Sequence, residues 1–169
     1  MAGRRSEARR YAVLAIYQWQ VGGETPAVIA GHFFDDPAWI GAVADGLAEE
    51  QAVEHAADAA PRAYDVQLFD QLLRGVPEHV DDIDDALRPV LDRSLRSIDP
   101  VELAILRVGV FELLYSPELP VRVVINEAID LSKTFGAEKG HRYVNGVLDK
   151  VAKRVRADEL ASQDRGGRR

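Results

Sequence analysis

The sequence predicts an all-α protein, and three observations carry that expectation. No stretch keeps up the apolar–polar alternation of a half-buried strand. Apolar residues instead recur at helical spacing from the first turn to residue 155. Glycine and proline punctuate the chain where short helices would end and restart. With 169 residues, 47% apolar and 29% charged, the chain can bury one core, as one domain or two tightly packed subdomains.

Residues 5–20 read as the first helix, with Ala8, Ala12, Ala15, Ile16 and Trp19 on one face, ended by Gly22-Gly23. Thr25-Pro26 and Asp36-Pro37 are both start signals. Residues 38–60 form an alanine-rich acidic helix stopped by Pro61. Another helix over 65–74 closes at Gly75-Val76-Pro77, and Pro77 opens 78–88, where Val80, Ile83 and Leu87 make the apolar stripe. Asp99 caps the next helix, with Pro100 in its first turn and Glu102 three residues past the cap. That helix, to Tyr115, is apolar nearly all round and belongs at the centre. In 121–135, Val121, Val124, Ile125, Ala128 and Phe135 face inward, Asn126, Glu127, Asp130 and Lys133 face water, and Gly136 ends the helix. The last helix, about 140–156, buries Val144, Val147, Leu148, Val151 and Val155. The tail, 158–169, ends in the basic run Arg165-Gly-Gly-Arg-Arg, is poor in apolar residues, and is expected to be flexible.

The absence of cysteine excludes disulfides, zinc–thiolate sites and cysteine nucleophiles. No apolar signal core and no run near the ~18 residues of a membrane span occur, so a cytoplasmic protein with no membrane contact is expected. Phosphate loops, dinucleotide fingerprints and HExxH are missing, and the four histidines are scattered. The acidic DDIDD run lacks the glycine and spacing of a calcium loop and reads as a solvated helix face. No catalytic, metal or cofactor site is expected.

The net charge of −7 conceals a partition. Residues 1–10 hold four arginines against one glutamate, and residues 139–169 hold nine Lys/Arg against four Asp/Glu. The body between them has eight basic side chains against 23 acidic ones. Basic ends on an acidic body suit an anionic partner if folding brings those ends together, and otherwise are two solvated tails. Arg10 and Tyr17 are seven residues apart on one helical face, a pairing that can hold a phosphate and stack on a base. Lys139, His141, Arg142 and Tyr143 gather around Gly140 at a helix start. Cations, an aromatic and backbone amides there suit single-stranded nucleic acid better than duplex. Core-edge packing is the competing reading for each tyrosine. The mechanism requires the opening arginines and the Lys139–Tyr143 corner to form one shelf.

Four ordered blocks, RRYAVLAIYQWQ (9–20), FDQLLRGV (69–76), IDPVELAILRVGVFELLY (98–115) and VINEAIDLSKTFGAEKGHRYVNGVLDKVA (124–152), resemble the NusB family of bacterial transcription antitermination factors. The resemblance implies a compact bundle of about seven helices in two small packed subdomains, about 4–92 and 93–157, forming one domain over 1–157. It implies binding of single-stranded boxA-type RNA together with NusE, a small-subunit ribosomal protein. It also implies work in the RNA polymerase antitermination complex, promoting read-through in ribosomal RNA synthesis. By resemblance the RNA-binding positions are Arg4, Arg5, Arg9, Arg10, Tyr17 and Tyr143, where Tyr143 stands in for a phenylalanine that stacks on a base. Lys139, where relatives often have an acidic residue, His141 and Arg142 join the set as the cations of the same corner. Glu102 matches the NusE-facing start of the central helix. Residues 22–63 are longer than the usual connection and acidic from Asp45 on. A homodimer stays open, as does the alternative of a helical interaction or dimerisation module without significant RNA binding.

Overall fold

A computed structural model describes residues 3–35, 63–135 and 140–166, which form eight helices and no strand. The expected helix over 38–60, its stop at Pro61, the start at Asp36-Pro37 and the Gly136 terminus all lie outside the described residues.

Helix α1 (Arg4–Gly22) buries Ala8, Ala12, Ala15 and Ile16 and ends on Gly23, whose φ of 72° is the left-handed geometry that glycine adopts without strain. Helix α2 (Pro26–Asp35) starts where Thr25-Pro26 predicts. Its Phe33 lies 5.0 Å from Phe69 and 6.4 Å from Tyr11, ring centre to ring centre. Asp65 caps α3 (Val66–Glu78) by accepting from the Leu68 amide at 3.0 Å. Pro77 does not start a new helix as expected. It lies inside α3, because the fixed φ of proline is itself helical and the ring sits within two residues of the end. Helix α4 (Val80–Leu87) follows directly, burying Ile83 and Leu87.

The centre of the molecule is α5 (Pro100–Tyr115), which packs against α1, α3 and α4 and against α6 (Val121–Phe135) and α7 (Gly140–Val155). Asp99 caps α5 with one carboxylate oxygen shared by the Val101 and Glu102 amides, at 2.9 and 3.1 Å. One hydrophobic cluster runs from Ala8 in α1 to Ala152 in α7.

At the carboxyl end the structure departs from expectation twice. Val155 is exposed, not buried. The tail is helical over α8 (Ala157–Gly166), a helix that the apolar pattern did not predict. Polar anchors order it where apolar content is scarce. Arg156 donates to the carbonyl oxygens of Leu113, Ser116 and Leu119 at 2.8, 2.9 and 3.0 Å, and Glu159 both pairs with Arg156 at 2.6 Å and accepts the Val121 amide at 3.0 Å. The carbonyls that the end of α5 leaves open are thus met by a guanidinium. No helix among the described residues is long and apolar enough to cross a membrane.

Candidate nucleic-acid interface

Two contacts set the register of α1 on α5. Arg9 Nε donates to Glu112 Oε1 at 2.8 Å near the end of α5, and Gln20 Nε2 donates to the Pro100 carbonyl at 2.8 Å at its start. The helices are therefore antiparallel. The opening arginines lie at one end of α5, and Tyr17, three residues before Gln20, lies toward the other.

Among those arginines the structure makes one clear correction. Arg9 is 3% exposed and forms a two-pronged bond to Glu112, at 2.8 and 3.0 Å, with Glu127 at 3.8 Å. Burial works against its charge, but the bond and charge of Glu112, then the charge of Glu127, outweigh that and hold the guanidinium firmly protonated. A side chain so enclosed cannot face RNA. Arg4 and Arg5 are exposed, with Arg5 3.7 Å from Asp65 and Arg4 reaching the Tyr64 carbonyl at 3.5 Å. Arg10 is half-buried against Glu7 at 3.3 Å, and Tyr17 is half-buried against the core.

The second station is the start of α7. Gly140 is buried beside Glu102: a methyl group added to it would come within 2.6 Å of Glu102 Oε1. A carboxylate at a helix N-terminus is electrostatically favoured. Arg142 is exposed with no ion-pair partner among the described residues, and His141 is half-buried with Nδ1 unbonded. Tyr143 is half-buried, its hydroxyl is enclosed without a hydrogen-bond partner, and Arg93 Cζ stands 4.7 Å from its ring centre. Burial pushes that hydroxyl above the usual tyrosine value, Arg93 pulls it down, and Asp92 and Glu102 push it up. Burial, then Asp99, likewise raises the Glu102 carboxyl, with Arg93 opposing. Lys139 lies outside the described residues.

The structure thus brings Glu102, His141, Arg142 and Tyr143 into one corner. It does not join them to Arg4 and Arg5 in a single shelf. Glu112 and Glu102 are ten residues apart on α5, so the two stations are separated by roughly 15 Å along its axis. Sequence reasoning missed Arg93. Its only signal was a pair of arginines, Arg93 and Arg96, in the short polar segment before the Asp99 cap. No group of three metal-ligating side chains occurs among the described residues.

Comparison with known proteins agrees with this architecture. The NusB family model matches residues 6–153. A transcription antitermination protein NusB of Nitrosococcus oceani is 46% identical over 163 residues, covering 96% of this chain and 95% of that protein. The one from Alkalilimnicola ehrlichii is 45% identical, covering 97% and 91%. A solved structure of T. maritima NusB superposes with a TM-score of 0.57 at 26% identity, covering 90% of this chain and 93% of that one. With its helical order and its sequence in agreement, the chain belongs to the NusB family, a family of transcription antitermination factors and not of enzymes.

Proposed function

We propose that this chain binds a boxA-type single strand of RNA together with NusE, within the RNA polymerase antitermination complex, and promotes read-through in ribosomal RNA transcription in the cytoplasm. The observation that carries the reading is the Tyr143 corner. A half-exposed aromatic stands at a helix start with the exposed Arg93 over its ring and the exposed Arg142 next to it in the chain, on an otherwise acidic body. Splayed bases stack on such rings, and their phosphates are drawn to the cations beside them. The single shelf that the sequence reading required is not formed, and the proposed RNA instead runs as an extended strand from that corner past Tyr17 and Arg10 toward Arg4 and Arg5. The register of α1 supports that path, and the burial of Arg9 removes one arginine from it. Lys139 and His141 complete the proposed set. Glu102 touches the same corner, so a NusE surface there would abut the RNA, and binding of the two should be mutually reinforcing. The test is RNA affinity measured with and without NusE. Tighter binding in its presence supports the shared surface, and an unchanged affinity contradicts it.

A further inference from the structure

Tyr143 is not the outermost group at its own corner. The Arg93 guanidinium covers its ring at 4.7 Å, closer than the 5.8 Å of the other described arginine–aromatic pairs, and Arg93 itself is exposed. Asp92 Oδ1 accepts from Arg93 Nε at 3.2 Å, while the two Nη groups have no partner among the described residues. Tyr143 has no hydrogen bond through its hydroxyl, so only packing and the guanidinium hold the ring. A base approaching along this side meets Arg93 first. Guanidinium planes stack on bases as aromatic rings do, and free Nη groups grip phosphate by two parallel bonds.

We propose that Arg93 is the base-stacking platform of the corner for single-stranded RNA, with Tyr143 as the support beneath it and the free Nη groups turned to the neighbouring phosphate. The inference rests on the RNA-binding reading and deepens it. A lysine cannot replace such a platform, because it supplies a charge without a plane.

The test titrates a fluorescein-labelled boxA-type single strand of about 12 nucleotides into the intact chain and its R93A, R93K and Y143A variants. Arg93→Ala and Arg93→Lys should each weaken binding about tenfold at fixed salt, the size of one modest stacking contact. Arg93→Ala should also make the log K against log salt slope shallower by about 0.7, and Arg93→Lys should leave it unchanged. Full affinity in R93K, or equal or tighter binding in R93A, overturns the platform: a point charge then suffices, or Arg93 merely shields the ring. If Y143A weakens binding while both Arg93 variants match the parent, Arg93 alone is removed and the RNA reading stands. If Y143A is also unaffected, both fall. A second readout needs no RNA. The Tyr143 hydroxyl is faced by Arg93, Asp92 and Glu102, so removing Arg93 should raise its titration midpoint, followed by NMR of the ring carbon. An unmoved midpoint shows that guanidinium and ring do not meet in solution and overturns the proposal.

Discussion

Arg9 and Arg10 are neighbours in one basic run, yet one is interior and the other lies at the edge. A single residue turns a helix by about 100°, and that step decides which arginine meets the core. The phase was legible. Arg9 precedes Val13 by four and Ile16 by seven, both on the buried face. Its partner was legible too, since Glu112 is a charge set among Phe111, Leu113 and Leu114, in the most apolar turn of α5. What the sequence could not show was that the two meet across 103 residues. Because both charges are enclosed, truncating one strands the other. Arg9→Ala should lower stability by about 3–5 kcal/mol in urea unfolding, while Arg9→Met combined with Glu112→Leu should cost far less. A loss under about 1 kcal/mol in the single variant would mean that the pair is solvated. Tyr143 was legible as an aromatic among cations. The guanidinium above it was not, because Arg93 arrives from a separate segment 50 positions earlier in the chain.

Among the elements, start signals read best. The Asp99 and Asp65 caps, the Thr25-Pro26 start and the Gly23 stop act through bonds to backbone atoms a few residues away, so sequence alone contains them. Elements ordered by distant polar contacts were missed, and α8 is the instance. Burial-based reasoning cannot find a helix held through Arg156, Glu159 and the Val121 amide. The Val121 amide, more than the Arg156 side chain, holds the Glu159 carboxyl below its usual value of 4.5. A lowered folded-state value contributes stability above the unfolded value, and that contribution is lost as pH falls through the folded one. Docking of α8 should therefore weaken on acidification below about pH 4.5, and Glu159→Gln should weaken it already at neutral pH while flattening the acid response. Hydrogen exchange of the Val121 amide against pH reads this directly, and identical profiles in both proteins would contradict it. The α3–α5 crossing permits a sharper check. A methyl group on Gly75 would stand 2.4 Å from the Phe111 ring, so Gly75→Ala should cost about 1–3 kcal/mol by overpacking. Adding Phe111→Leu should recover part of that loss, and a neutral Gly75→Ala would show that the two helices are less closely apposed.

For the whole molecule, composition revealed that the charge is divided, but not how the divided parts are arranged. That depends on the antiparallel register of α1 and α5, which is fixed by contacts between residues about 80 to 100 positions apart and leaves no local trace. The register spreads the arginines of α1 and the Tyr143 corner over two stations, so the proposed RNA-binding residues follow a path and not a single patch. A strand bound along such a path should lose affinity in separable steps. Arg4→Ala with Arg5→Ala should weaken binding uniformly across sequences and make the salt slope shallower by about 1.4, while Tyr143→Ala should remove a stack and leave the slope nearly intact. The most direct test of the central claim is equilibrium binding of a boxA-type single strand to the parent chain and to Tyr143→Ala across a salt series. The account predicts salt-dependent binding by the parent and a loss of about 1–3 kcal/mol in the variant at every salt concentration. Equal affinity of the two proteins, or binding indifferent to salt, would contradict it.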